Sequence, residues 1–485
     1  DIHVIDLKTL EYRAQEKVRF DSLGAVKNEE DPGKRLKLLV NADDVAGRFA
    51  WKVLSRTLAY SARRLGEIAD DVVNVDRAMR WGFNWDLGPF EAWDAIGVAE
   101  SVARMEKDGI SLPAWVTELA KSGGSFYSGG AKEPRYFDYK TGAKNPVPFG
   151  PKEIRIAGLK EAGKVIKENF GASLVDLGDG ALGVEVHTKM NTLDPDVIGM
   201  MSEAVDIAEK DFEAIVIGND GEHFGAGANL MLIMMAAQQK AWDQVEKIIR
   251  GLQAALQKLR YANVPVVAAP FQYTLGGACE VAMAADACQA HAETYMGLVE
   301  VGVGLIPAGG GCLRMVERFT DDAARVKGAD LLPFIGEASL NIATAKVATS
   351  ADEAKRLRYL RQTDGISLNR SELLYAAKWR ALGMARAGYR PPRAGLHSAV
   401  GFDAGKTIGA RIWAMVEGGF ATQHDALIAN KLAHILCGGF VAAGTEVGDQ
   451  HYLDLECEAF LSLCGEQKSL DRIGHMLMNN KPLRN

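Results

Sequence analysis

The chain has 485 residues, 48% of them hydrophobic and 25% charged, with a formal net charge of −7. That length allows two or three domains with sizeable cores. The acidic balance argues against a broad basic footprint for nucleic acid, and the lack of an eighteen-residue apolar run against a transmembrane helix.

The sequence begins Asp1-Ile2-His3, without an initiator Met and without a signal-peptide pattern. The expectation is a piece of a longer cytoplasmic protein, with residues 1–34 as a connecting segment. Residues 35 to about 121 are helical in pattern. Val45 to Ala69 has apolar positions at helical spacing, and Val75 to Ile96 follows, with Asp76 as the predicted N-cap and Gly88-Pro89 as a break. Residues 122–152 are a turn-rich linker, so 35–150 is read as an all-α domain plus linker.

From about residue 170 the texture changes to short β-branched runs: Ser173–Leu177, Gly183–His187, Ala214–Ile217 and Val264–Ala269. Helical stretches, Asp194 to Lys210 and Leu230 to Arg260, separate them, which predicts an α/β domain over 170–350. Residues 351–485 return to helix and form a helical C-terminal extension, a cover over a pocket or a docking surface. His424 and His434 on its helices read as structural. No G-x-G-x-x-G opens a βαβ unit. The six cysteines, Cys279, Cys288, Cys312, Cys437, Cys457 and Cys464, include no C-x-x-C pair. They predict buried, reduced thiols and no metal site.

The chemistry concentrates in the α/β part. Phe224-Gly225-Ala226-Gly227-Ala228-Asn229 and Leu275-Gly276-Gly277-Ala278-Cys279-Glu280 are small-residue turns beside apolar segments. Small side chains let backbone approach a ligand, and amides at a helix start are unpaired and partly positive. Glu280 falls in the first turn of the predicted helix, and Glu300 follows twenty positions later, before Gly309-Gly310-Gly311. Taken singly, each feature is a capped helix, a surface acid or a loop. Together they supply two carboxylates for protons and amide donors for an oxyanion.

From about residue 172 to 345 these residues resemble the crotonase, or enoyl-CoA hydratase, superfamily. The likeness rests on Lys189-Met190-Asn191-Thr192-Leu193, on Ala226 to Leu230, on Leu275 to Glu280 and on Gly297 through Gly311. It implies a spiral ββα fold and hydration of a 2-enoyl-CoA thioester. In that reading the amides of Ala226 and Gly277 form the oxyanion hole, and Glu280 and Glu300 are the catalytic acids. Lys189, Gly227, Ala228 and Gly276 are the residues expected against the CoA thioester. Asn229 replaces a common Asp, and Ala278 and Ala308 replace frequent glycines, which bears on substrate preference.

The stretch from Val75 to Glu91 resembles the helical C-terminal domain of 3-hydroxyacyl-CoA dehydrogenases, and its aromatics read as helix-packing core. That family's active-site Asn is missing at Gly47-Arg48, and no dinucleotide-binding domain is present. The resemblance implies a non-catalytic copy of the helical domain within a dehydrogenase–hydratase fusion of fatty-acid β-oxidation. It implies no cofactor in this chain, with NAD needed only by the dehydrogenase half. The expected partners are an acyl-CoA thioester and that half, and self-association stays open. Two other readings stay open too: a crotonase-type isomerase, and a non-catalytic acyl-CoA-binding scaffold.

Overall fold

Short aspartates start three helices of the amino-terminal part. In this computed structural model, which describes residues 3–16 and 18–485, Asp31, Asp44 and Asp71 cap the helices Pro32–Val40, Val45–Arg64 and Val72–Phe83. Each side chain accepts an amide that its helix leaves unpaired. Asp76 is not the N-cap expected of it. It lies buried inside Val72–Phe83 and accepts from the amides of Phe90 and Glu91 at 2.8 and 3.1 Å and from the Tyr127 hydroxyl at 2.7 Å. It therefore serves the next helix, Pro89–Ile96, and burial pushes its carboxyl up to about 7. The break precedes Gly88-Pro89, at Asn84, whose φ of 55° ends the helix in the left-handed region.

Phe90, Trp93 and Phe126 build the centre of this core, with ring centroids of Phe90 and Phe126 5.0 Å apart. Trp81 and Phe83, expected in the core, are exposed. A three-stranded antiparallel sheet, Tyr127–Ser128, Arg135–Phe137 and Lys144–Pro146, follows. The chain divides into two compact units, Asp1–Phe149 and Gly150–Asn485.

Apart from the short antiparallel pair Leu396–Ser398 and Glu446–Gly448, the second unit is built on nine strands. They are β1 (Val165–Glu168), β2 (Ala172–Asp176), β3 (Ala181–Val186), β4 (Ala214–Ile217), β5 (Val266–Ala268), β6 (Gln272–Leu275), β7 (Ala287–His291), β8 (Thr294–Gly297) and β9 (Gly365–Ser367). Seven of them form one sheet in the order β9-β7-β5-β4-β3-β2-β1, antiparallel among β1 to β3 and parallel from β3 onward. β6 and β8 pair in parallel as a separate layer, from Gln272 opposite Thr294 to Leu275 opposite Gly297. Single bridges extend that layer: Leu193 to Ala228, Gly225 to Thr274 and Met296 to Ala348.

The helices that bear on the site are α1 (Pro195–Asp211), α2 (Leu230–Gln238), α3 (Trp242–Arg260), α4 (Gly277–Ala284), α5 (Gly311–Ala324) and, in the tail, α6 (Asp449–Cys464). The chain thus passes repeatedly from main sheet to second layer to helix, the spiral ββα arrangement of a crotonase-like fold. The stretch Leu230 to Arg260 is two helices rather than one, because Lys240 turns with a φ of 55°. No helix among the described residues is long and apolar enough to cross a membrane.

The tail helices share a hydrophobic core with the sheet: Ile428, Leu432, Leu463 and Ile473 belong to the same buried cluster as Ile215 and Val267. All six cysteines are buried and unbridged. A buried histidine clasps the tail to α5. His397 Nδ1 lies 3.0 Å from Asp321 and Nε2 lies 2.9 Å from Asp449. Asp449 also accepts from Arg314, Gln257 and the Tyr261 hydroxyl. Burial alone would lower the imidazole, but its hydrogen bonds to the two aspartates outweigh that and raise it to about 9.

A folded-state value above the ordinary 6.5 stabilises fully below pH 6.5, and that contribution is lost as pH rises through about 9. The loss should be on the order of 3 kcal/mol. Thermal unfolding of the wild type is expected to weaken over that window, while His397→Gln shows a flatter profile. Parallel pH profiles for the two proteins would remove His397 as the cause.

Candidate active site

Two glycine turns meet where the second layer ends. Gly227 has a φ of 97°, and a Cβ there would lie 3.3 Å from the Leu275 carbonyl oxygen and 3.6 Å from the Gly277 nitrogen. Gly276 has a φ of 56°, and a Cβ there would lie 3.6 Å from the Gly227 Cα and 3.1 Å from Glu300 Oε1. The left-handed backbone and the close approach both call for glycine. The turns are tied by amides of Gly225 to Tyr273 and of Leu275 to Gly225, at 2.9 and 3.0 Å.

The hydrogen-bond pattern decides which amides can reach a ligand. Ala226, expected to be an oxyanion donor, donates to the Met190 carbonyl at 3.1 Å and is occupied. Leu193 bridges Ala228 in parallel, donating to the Gly227 carbonyl and accepting from the Asn229 amide. In such a bridge the residue between those two points its own amide away from the partner strand. Ala228 makes no backbone hydrogen bond among the described residues, and its nitrogen lies 3.5 Å from where a Cβ on Gly277 would sit. Gly277 is the first residue of α4, so its amide has no acceptor within the helix. The open pair is therefore Ala228 with Gly277. The register of one isolated bridge, which the sequence does not display, makes the two-residue difference.

Lys189 is exposed on the turn Lys189–Asn191, whose Met190 carbonyl takes the Ala226 amide. Asn229 caps α2 through the amide of Leu232 at 3.4 Å, a role Asn and Asp fill about equally.

Glu280 sits in the first turn of α4 and is 3% exposed. Its Oε1 accepts from the amides of Gly309 at 2.8 Å and Gly311 at 2.7 Å. Burial pushes its carboxyl up to about 7 against the lowering effect of those two amides. Glu300 begins the short 3-10 turn Glu300–Val303 after β8. Its Oε2 is buried with no hydrogen-bond partner among the described residues. Burial, followed by the charge of Glu280, holds its carboxyl well above the ordinary range. The structure brings both acids beside the two glycine turns.

A third acid was missed by the reading of the sequence. Glu456, on α6, is fully buried. It accepts from the Gly310 amide at 2.7 Å and the Leu313 amide at 2.9 Å. Burial, then the nearby charge of Glu280, raises it well above the ordinary value. A signal was present: Glu456 shares a helical face with Tyr452, Leu453, Phe460 and Leu463, all buried.

Residues 182–326 match the enoyl-CoA hydratase/isomerase family. A protein of Bacillus subtilis described as a probable 3-hydroxyacyl-CoA dehydrogenase is 42% identical over 488 residues, covering 100% of this chain and 61% of that protein. A Rickettsia felis protein, provisionally named as a fatty acid oxidation complex trifunctional enzyme, is 26% identical over 67% of this chain and 40% of its own length. This chain thus spans less than two thirds of either relative's length. The crystal structure of an enoyl-CoA hydratase from Bacillus halodurans aligns with 64% of this chain and 99% of its own at 15% identity, with a TM-score of 0.41. The family match runs from β3 through α5 of the crotonase-like fold and takes in Ala228, Gly277, Glu280 and Glu300, so the second unit of this protein is similar to enoyl-CoA hydratase/isomerase domains over that stretch.

Proposed function

We propose that this chain reversibly hydrates 2-enoyl-CoA thioesters to 3-hydroxyacyl-CoA within a longer enzyme of fatty-acid β-oxidation. The observation that carries this reading is a pair of buried acids beside two open amides, one acid having an unpartnered oxygen.

The thioester oxygen accepts from the amides of Ala228 and Gly277 as negative charge develops there. Glu280 keeps its charge more readily, because two amides stabilise the carboxylate, and it removes a proton from water. The water oxygen bonds to Cβ. Glu300, held protonated by burial and by its charged neighbour, delivers its proton to Cα. The net change is one water added, and the reverse path removes it.

On this reading 3-hydroxyacyl-CoA oxidation, with its NAD, belongs to a dehydrogenase half outside this sequence. The glycine turn Gly309–Gly311 does not suit a dinucleotide pyrophosphate, because carboxylates already take its amides. Lys189, exposed beside the donor turn, is the cation proposed for the CoA phosphates.

The test is the loss of enoyl-thioester absorbance on mixing the protein with crotonyl-CoA and longer 2-enoyl-CoAs. Turnover with 3-hydroxyacyl-CoA as product is expected. Formation of a 3-enoyl isomer instead would make the protein an isomerase. Thioester binding without turnover would make it a scaffold and end the hydratase reading.

A further inference from the structure

The glycine turn that holds Glu280 is shared with a second carboxylate from far along the chain. Going from Gly309 to Leu313, the amides alternate between two owners. Gly309 and Gly311 donate to Glu280, while Gly310 and Leu313 donate to Glu456. A Cβ at Gly309 or Gly311 would lie 2.8 Å from a Glu280 carboxylate oxygen, so the turn closes tightly around that acid. Glu456 comes from α6, outside the segment that matches the family.

Among the described residues no cation hydrogen-bonds this group of acids, and the charge of Arg314 only partly offsets the upward push on Glu456. Arg314, on α5, gives its hydrogen bonds to Glu317, Gln257 and Asp449. The other groups facing Glu456 are Glu280 from α4 and the Cys312 thiol from α5, with Cys457 adjacent on its own helix and Glu300 behind Glu280. Carboxyls buried together with no hydrogen-bonded counter-ion do not all ionise readily, so a charge on one acts on the next.

We propose that Glu456 is a positioning residue of the reaction, ordering the Gly309–Leu313 turn around Glu280 and biasing which carboxyl of the site carries the charge. This rests on the hydratase reading given above. A helix cap alone would explain two of the four amide bonds, those at Gly310 and Leu313. It would not explain a fully buried acid placed next to a reacting acid, where a neutral acceptor would cap α5 as well.

The test compares the wild-type protein with Glu456→Gln and Glu456→Asp. The glutamine keeps one acceptor oxygen and turns a donor toward the other amide. Hydration by Glu456→Gln should fall about tenfold in kcat with KM nearly unchanged. The acid limb of its pH–kcat profile should move to lower pH by about half a unit or more, since a carboxyl that competes with Glu280 for the charge of the site is gone. Glu456→Asp should bring the pH profile back toward that of the wild type. A lower Tm with an unmoved pH profile would mean a structural cap only and would overturn the proposal.

An activity-free readout separates this idea from the hydratase reading and needs no variant at position 456. In 13C-glutamate-labelled Glu300→Gln protein, the Glu280 carboxyl resonance, assigned by its loss in Glu280→Gln, should titrate in two steps. A single step would show that Glu456 does not couple to Glu280, whether or not the protein hydrates enoyl-CoA. No turnover by the wild type together with a two-step titration would sink the hydratase reading and leave the coupling standing.

Discussion

Glu280→Gln and Glu300→Gln are each expected to lower kcat for 2-enoyl-CoA hydration by roughly 10²–10⁴-fold with little change in KM. Both replacements are close in shape to the native side chain. At position 280 a single oxygen, Oε1, accepts from both Gly309 and Gly311, and a glutamine oxygen can do the same. The turn should hold while the proton acceptor is lost. At position 300 the side chain keeps its place but can no longer deliver an acid proton to Cα.

Because the two acids act as a unit in one addition, the double variant should be little worse than either single one. Thermal stability should not fall, since each change removes a carboxyl that burial already disfavours. Steady-state hydration of crotonyl-CoA, read with unfolding curves of the same preparations, checks the whole set. A variant that keeps most of its activity would remove that glutamate from the mechanism.

Gly277→Pro should reduce kcat by about 10²–10³-fold while the protein still folds. Proline is tolerated at the first position of a helix, where the missing N–H has no helical acceptor in any case. Gly276 before it, with a φ of 56°, has no side chain to clash with the ring. A Cβ at Gly277 would meet the Leu193 Cδ1 at 3.1 Å, the far end of a flexible side chain. What the substitution removes is one of the two open amides. Comparing kcat with Tm separates a lost donor from a damaged fold. Unchanged turnover in a folded Gly277→Pro protein would eliminate that amide as an oxyanion donor.

Much of this site could be read from residue types. Glu280 and Glu300 stand out because charged residues rarely sit among small and apolar ones without a reason. The strand Ala214–Ile217 was visible because β-branched residues mark it. β7 was not, because Ala-Cys-Gln-Ala-His carries no β-branched residue and becomes a strand through its neighbours β5 and β9. The assignment of Ala226 moved to Ala228 because hydrogen-bond direction is a property of pairing, and pairing of Leu193 with Ala228 is not written locally. Asp76 has the residue type of a cap and does cap a helix, but the next one, across a turn closed in space. Glu456 lies on an apolar helix face, and its meaning depends on a turn about 140 residues earlier, met only on folding.

The buried cluster of the second unit continues from the sheet to Ile473, far past residue 326, where the family match ends. Gln253 on α3 makes the continuity concrete, its amide donating to the carbonyls of Ala308 and Leu453 at 2.9 Å each. The recognisable stretch is therefore not autonomous. Trimmed to its matched borders, it would expose apolar faces of α3 and α5 to water and strip the acids of part of their low-dielectric wall. The smallest fragment worth expressing begins near Gly150 and keeps the tail, and changes in that tail can alter chemistry whose reacting groups lie elsewhere.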